Sequence, residues 1–138
     1  MTSTINMQDM RYLNLFGRIT RVTTRLCLMY NNMIIFCVPR PLVSRAIGIE
    51  GKNIRKINEI LGKKVKVIPS PRGLIDIKSF IENIISPVTF KELEITDNEI
   101  IVTAGSQNKA ALIGRNKRRL FEMQKIIRDF FGKEFRII

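Results

Sequence analysis

The feature that most constrains the fold is an internal repeat, because the second half of the chain repeats the first at an offset of 66 residues. Asp97-Asn98 follows Asn31-Asn32 by this offset, and Leu112-Ile113-Gly114 follows Ala46-Ile47-Gly48 by the same offset. A turn and a glycine-led segment that recur in the same order indicate two copies of one small unit. The sequence therefore predicts two consecutive domains of about equal length.

Hydrophobic periodicity predicts the elements of the first half. Apolar residues at helical spacing indicate helices, and alternating apolar and polar residues indicate strands. Asn31-Asn32 suits a tight hairpin turn because Asn tolerates a positive φ. The predicted elements are a helix over 10–16 that Asp9 caps and Gly17 ends, a strand over 18–30, a strand over 33–38, a short helix begun by Pro41, a helix over 52–61 that Gly62 ends, and a strand over 63–68.

The second half predicts the same order of elements. They are a helix from Asp76 to Ile84, strands over 88–95 and 99–104, a short helix before Gly114, a longer helix that Gly132 ends, and a strand over 133–138. The predicted fold class is α+β, with each unit ordered α-β-β-α-α-β around a three-stranded sheet that helices cover. The predicted domains span residues 1–69 and 70–138.

The charge of the chain restricts its partners. Its 138 residues include 24 Lys and Arg against 12 Asp and Glu, a formal net charge of +12. The first 69 residues hold 12 basic and 3 acidic residues, so most of the positive excess lies there. Such a balance favours nucleic acid or an anionic membrane as partner. No apolar run is long enough to span a membrane, the N-terminus lacks the pattern of a secretion signal, and no amphipathic helix has a large apolar face free of the core. We therefore expect a cytoplasmic protein that does not bind membranes.

Cys27 and Cys37 are the two thiols of a chain without His, so one chain cannot assemble a structural zinc site. If Asn31-Asn32 forms a two-residue turn, Cys27 faces Phe36 across the hairpin, and the two thiols lie on opposite faces of the sheet. The sequence therefore predicts free cysteines, with no metal and no cofactor.

The segment from Ala46 to Ile54 predicts a binding loop. Gly48 and Gly51 stand between an apolar helix end and a basic helix start. Without side chains there, a sugar-phosphate strand can approach the main chain, and the N–H groups of the next helix favour an anion. We interpret the segment as a clamp for a nucleic-acid backbone. Its candidate residues are Ile47, Gly48, Ile49, Glu50, Gly51, Lys52, Asn53 and Arg55.

The corresponding loop in the second half departs from this pattern. Lys117 stands where the first copy has Gly51, and we expect this to hinder close approach of a strand to the backbone. The three consecutive cations from Lys117 to Arg119 instead offer phosphate contacts at a helix start. The candidate residues here are Gly114, Arg115, Asn116, Lys117, Arg118 and Arg119.

The element order, with G-x-x-G between two helices, resembles a KH domain of type II, and the tandem pair resembles the archaeal NusA-like transcription factors. The segment from Ala46 to Ile54 matches the family pattern A-I-G-x-x-G-x-N-I, and Leu112-Ile113-Gly114 is the second match. The resemblance covers nearly the whole chain. It implies binding of single-stranded RNA through the loops and their flanking helices, together with RNA polymerase, in elongation, pausing and termination.

Two other functions are compatible with parts of this pattern. A ribosome-associated factor is the alternative among RNA-binding proteins, because type II KH domains also occur in proteins of the small subunit. An RNA nuclease or modifying enzyme is disfavoured, since the chain lacks His and the acids of the basic half, Asp9, Glu50 and Glu59, are far apart in the predicted layout. We therefore expect a non-catalytic monomer.

Overall fold

The computed structural model describes residues 7–138, which form two compact units separated in the chain between Pro71 and Arg72. This division falls two residues beyond the bound predicted from the repeat. Both units contain helices and a three-stranded sheet, so the α+β class predicted from the sequence is confirmed.

The first unit has the predicted order of elements. Its middle strand, β2 (Met33–Val38), pairs with β1 (Leu26–Tyr30) in the antiparallel sense and with β3 (Lys64–Pro69) in the parallel sense. The sheet order is therefore β1-β2-β3. The elements are α1 (Met7–Thr20), β1 (Leu26–Tyr30), β2 (Met33–Val38), α2 (Val43–Ile47), α3 (Lys52–Leu61) and β3 (Lys64–Pro69).

The second unit repeats this arrangement. Its strands β4 (Glu92–Ile95), β5 (Glu99–Thr103) and β6 (Glu134–Ile137) form a sheet in that order, again with one antiparallel and one parallel pairing. The predicted duplication of the element order is thus confirmed. The elements are α4 (Ile77–Ile85), β4 (Glu92–Ile95), β5 (Glu99–Thr103), α5 (Lys109–Ile113), α6 (Arg118–Phe131) and β6 (Glu134–Ile137).

The core of the first unit is built on strand β2, which is buried along its whole length. Phe36 of this strand stacks on Phe16 of α1, with ring centroids 4.2 Å apart. Ile57 contributes from α3 and is fully buried in the same cluster. Because α3 is anchored here, the loop that precedes it is held against a rigid support.

The core of the second unit contains a cluster of three phenylalanines. The Phe80 ring lies 5.1 Å from that of Phe130 and 5.9 Å from that of Phe131, centroid to centroid. Asp76, directly before α4, is buried and accepts hydrogen bonds from the main-chain N–H of Arg72, at 2.8 Å, and from its guanidinium. This pair fixes the entry of the chain into α4.

The first helix is longer than predicted. The expected end at Gly17 is wrong, since α1 runs to Thr20 and the residue with the left-handed φ of 62° is Arg21. The Thr20 hydroxyl donates to the carbonyl of Phe16 at 2.7 Å and ties down this last turn. Asp9 consequently lies in the first turn of the helix and is not its cap. Residues 18–20, expected in a strand, are helical.

The strands that open each hairpin are shorter than predicted. Strand β1 begins at Leu26 and β4 at Glu92, where the periodicity had placed their starts at 18 and 88. Before β1 the Thr24 hydroxyl donates to the carbonyl of Cys37 at 2.5 Å, so a side chain replaces a ladder hydrogen bond.

The hairpin register is the predicted one. Cys27 lies opposite Phe36 and Leu26 opposite Cys37, and both cysteines are free. Burial, with a smaller contribution from the Asp9 carboxylate, raises the pKa of Cys27 to about 12. Burial, with a smaller contribution from the Cys27 thiolate charge, raises the pKa of Cys37 to about 12. A thiol with so high a pKa holds little thiolate at neutral pH.

We predict that both thiols of the folded chain resist N-ethylmaleimide at pH 8. A pKa about three units above the usual value lowers the thiolate fraction roughly a thousandfold. Mass spectrometry of the labelled chain measures the effect, and labelling in urea should restore the ordinary rate. Fast modification of Cys37 in the native chain would contradict the prediction.

Candidate nucleic-acid interface

The first loop joins α2 to α3 through left-handed backbone. Gly48 has φ 82° and ψ 166°, Glu50 has φ 56° and ψ 29°, and Gly51 has φ 72° and ψ 20°. The N–H of Gly51 donates to the carbonyl of Gly48 at 3.1 Å and closes the turn. Three left-handed residues in four positions turn the chain sharply, so that α3 begins directly at Lys52.

The two glycines of this loop serve different purposes. A Cβ at Gly48 would lie 2.9 Å from the Asn53 side-chain nitrogen and 3.1 Å from its main-chain nitrogen, so this glycine permits tight packing of the loop on α3. A Cβ at Gly51 would meet only the Arg55 guanidinium, at 3.8 Å. Gly51 therefore leaves the outer face of the loop open, which is the property that close approach of a ligand requires.

Two predicted binding residues hold the loop from within the protein. The Asn53 side chain donates to the carbonyl of Arg45, at 3.3 Å, and bridges the loop from α3 back to α2. The Arg55 guanidinium donates to the carbonyl of Glu50 and steadies the left-handed turn. Both side chains thus have a structural role that the sequence did not reveal.

The outer surface of the first loop combines apolar and basic groups. Ile49 is 86% exposed, so its apolar side chain lies open to solvent on this surface. Lys52, at the first position of α3, is exposed as well, and so is Glu50 at the tip of the loop. Ile47, the last residue of α2, is partly buried. An apolar surface beside a cation suits a base and its phosphate.

The second loop follows the same backbone path as the first. Gly114 has φ 77° and ψ 170°, Asn116 has φ 57° and ψ 28°, and Lys117 has φ 60° and ψ 22°. Among these three pairs of residues the largest difference is 12°, between a φ of 72° at Gly51 and of 60° at Lys117. At this position the two loops therefore differ in the side chain and not in the backbone path, and hindered approach of a strand at Lys117 stays a prediction.

Arg119 takes the place of Asn53 in this second loop. Its guanidinium donates to the carbonyl of Ala111 at 2.9 Å. A Cβ at Gly114 would lie 2.9 Å from the Cγ atom of Arg119. Arg119, which the sequence predicted to contact phosphate, thus forms a hydrogen bond to a main-chain carbonyl of α5. The other cations of the cluster, Arg115, Lys117 and Arg118, are exposed, with Arg118 3.9 Å from Glu122.

Phe121 belongs to this region and was not among the predicted site residues. It is 57% exposed on α6 and lies at the helix position that Arg55 occupies on α3. The offset of 66 residues that aligns the loops also aligns these two positions. The repeat could therefore have identified Phe121 as the counterpart of the predicted binding residue Arg55.

Within residues 7–138, no group of three or more His, Cys, Asp or Glu side chains is placed to hold a metal ion. The helices of this same range are each too short or too polar to cross a bilayer.

These features define a class of duplicated α+β protein in which each unit presents a left-handed, glycine-led loop at the start of a basic helix. No protein-family model matches the chain. The probable transcription termination protein NusA of Halococcus morrhuae is 26% identical over 138 residues, covering 94% of this chain and 97% of that protein.

Proteins of the same name from two further archaea are also similar. The one from Methanococcus vannielii is 25% identical over 114 residues, 80% of this chain, and the one from Methanocaldococcus jannaschii is 23% identical over 128 residues, 90% of this chain. The matched parts span 64% and 68% of those proteins, so the first match covers less than two thirds of its relative.

A solved structure has the same fold. The crystal structure of APE1850 superposes with a TM-score of 0.70 at 26% identity and covers 97% of this chain and 99% of that one. Together with the three relatives, at 23–26% identity, this shows that the chain is similar to the archaeal NusA proteins. The resemblance drawn from its motifs is thereby confirmed.

Proposed function

We propose that the chain is a non-catalytic, single-stranded RNA-binding factor that acts in transcription elongation, pausing and termination. Each unit would be a KH domain of type II, with bounds near residues 1–69 and 70–138. The observation that carries the proposal is the shared path of the two loops, each left-handed and each opening a basic helix. A backbone kept in a strained conformation at two equivalent places indicates a common use.

The first loop supports the proposal through its open face. Because Gly51 adds no side chain there, a phosphate can approach the main-chain N–H groups at the start of α3, where the helix dipole favours an anion. Lys52 adds a cation, and the exposed Ile49 offers an apolar surface to a base. Unpaired bases present such surfaces, which is why we propose single-stranded RNA.

The second loop would bind phosphate mainly through charge. Arg115, Lys117 and Arg118 are exposed around a backbone that matches the first loop. Asn53 and Arg119 support the loops by bonding to the preceding helices, and we assign them this role in place of direct RNA contacts.

We predict that RNA affinity falls with salt in proportion to the number of loops engaged. A clamp on about four nucleotides neutralises roughly three phosphates, giving a log-log slope of about −2 for one loop and about −4 for two. Fluorescence anisotropy with labelled single-stranded RNA measures this slope. Changing Arg115, Lys117 and Arg118 to Gln should move it toward the smaller value.

This triple variant leaves the loop-supporting Arg119 in place, so that loss of charge is separated from loss of loop structure. Circular dichroism should show that the triple variant is folded. An unchanged slope in that variant would mean that the second unit does not contact RNA.

The names of the relatives favour transcription over the ribosome as the setting. We propose that the protein acts in the cytoplasm as a monomer, with RNA polymerase as a protein partner. Crosslinking in cells followed by sequencing of the bound RNA tests this. Reads on nascent transcripts would support transcription, and reads confined to ribosomal RNA would favour the ribosome-associated alternative.

The non-catalytic role can be tested directly. Labelled RNA incubated with the protein and Mg²⁺ or Mn²⁺ should remain intact. Turnover that is abolished by Glu50→Gln would overturn this part of the proposal, because Glu50 is the acid at the tip of the first loop.

A further inference from the structure

Phe121 is an exposed aromatic side chain on α6, the helix that the second loop opens. It is 57% exposed, whereas Phe16, Phe36 and Phe80 are fully buried. Single exposed apolar residues are common on protein surfaces and by themselves indicate nothing. What distinguishes Phe121 is its place beside the second loop and the charges that surround it.

The position of Phe121 relative to the loop follows from the repeat. In the first unit Arg55 is the fourth residue of α3, and its guanidinium reaches back to the carbonyl of Glu50. Phe121 is the fourth residue of α6, and the second loop has the same backbone torsions. Phe121 therefore has the same position relative to the second loop that Arg55 has relative to the first.

Cations lie on both sides of this ring along the helix. Residues three or four positions apart are neighbours on a helix surface, so Lys117 and Arg118 precede Phe121 and Lys125 follows it. All three cations are exposed. In the first unit the residue equivalent to Lys125 is Glu59, so the combination of an aromatic ring and flanking cations belongs to the second unit alone among the two loops.

We infer that Phe121 is a base-stacking residue, on which an unpaired RNA base lies while Lys117, Arg118 and Lys125 contact the phosphates beside it. The inference rests on the proposed RNA-binding function and adds a base contact to a loop assigned so far only to phosphate. Stacking on an aromatic ring accepts any base, so this contact supplies affinity with little sequence preference. It also provides what the second loop lacks, an apolar group equivalent to Ile49.

The chain contains no Trp, which allows a direct optical test. In Phe121→Trp the new indole is the only one in the protein, and a base stacked on it quenches its fluorescence. The probe is an oligoadenylate of about ten nucleotides. An abasic ribose-phosphate oligomer of equal length tests for the base itself. Ile95→Trp, at a position 41% exposed in strand β4, is the matched control.

We expect oligoadenylate to quench Phe121→Trp strongly, the abasic oligomer to quench it little, and neither to quench Ile95→Trp. Phe121→Leu keeps the apolar bulk and should bind oligoadenylate about five- to tenfold more weakly, the lower part of the range for one stacked base. Phe121→Tyr should retain the affinity. The affinity for the abasic oligomer should be the same in all variants.

The outcomes separate the inference from the proposed function. If the unaltered protein binds oligoadenylate but Phe121→Trp is not quenched and Phe121→Leu binds normally, the inference is wrong and the proposed function stands. If the unaltered protein binds no single-stranded RNA, both fail. The unaltered protein, which has no Trp, can also be added to Phe121→Trp without RNA. Quenching in that mixture would identify residue 121 as a contact between copies of the chain and would also overturn the inference.

Discussion

Replacing Gly51 with Asp should abolish most RNA binding while leaving the first unit folded. Gly51 has a left-handed backbone, which Asp tolerates better than most residues, and the start of a helix favours a carboxylate. The same carboxylate would occupy the open face of the loop and repel phosphate. We estimate the cost to binding at about 1 to 3 kcal/mol, roughly 5- to 150-fold in affinity.

Gly51→Asn is the matched control for this variant. Asn has nearly the size of Asp and also tolerates the left-handed backbone, but it carries no charge. It should therefore bind RNA better than Gly51→Asp, and the difference between the two measures repulsion. Gly51→Ala is a poorer control, because Ala lacks the short polar side chain that lets Asn and Asp adopt a left-handed backbone, and the conformation then costs about 1 kcal/mol of stability.

Anisotropy with labelled single-stranded RNA and circular dichroism together decide the outcome. A folded Gly51→Asp variant with the parent's affinity would mean that this loop is only a helix-helix turn. Equal losses in the Asp and Asn variants would mean that any side chain blocks the site, so that steric exclusion and not charge is responsible.

Gly48→Ala should destabilise the first unit more than any other single methyl addition to its loop. The combination of φ 82° and ψ 166° is accessible almost only to glycine, and the added Cβ would lie 3.1 Å from the main-chain nitrogen of Asn53. We expect a loss of about 2 to 3 kcal/mol, with the strain accounting for most of it. A unit of this size has little stability to lose.

Hydrogen exchange of peptides from the two units measures where stability is lost. Gly48→Ala should raise exchange in residues 43–61, and Gly114→Ala, the equivalent change, should raise it in residues 109–131. Adding Asn53→Ala to Gly48→Ala relieves the contact with the side chain, but it leaves the backbone strain and removes the hydrogen bond to the Arg45 carbonyl, so stability should not recover. Exchange in Gly48→Ala that matches the parent would contradict the structural role given to this glycine.

The sequence was sufficient where the signal is local. Apolar spacing and the Asn31-Asn32 turn predicted the hairpin register and the placement of Cys27 and Cys37, because side chains alternate along a strand and the turn fixes the pairing. The repeat likewise predicted two units with one order of elements. Both loops were located from their glycines.

Other features depended on contacts that a local pattern does not record. Gly17 would end an isolated helix, but α1 continues because Thr20 bonds to the Phe16 carbonyl and the helix packs on the sheet. Strand β1 starts late because the Thr24 side chain takes a ladder position. In each case a side-chain hydrogen bond overrode the local preference.

The sequence by itself determined the duplicated α+β fold, the positive charge and the two places where the chain turns into a basic helix. Only the tertiary structure decided that Gly48 serves packing while Gly51 keeps the loop open, and that Asn53 and Arg119 bond to the preceding helices. The physical reason is that a glycine or a cation has the same appearance in the sequence whatever surrounds it. Its role depends on the atoms that the fold brings within a few ångströms.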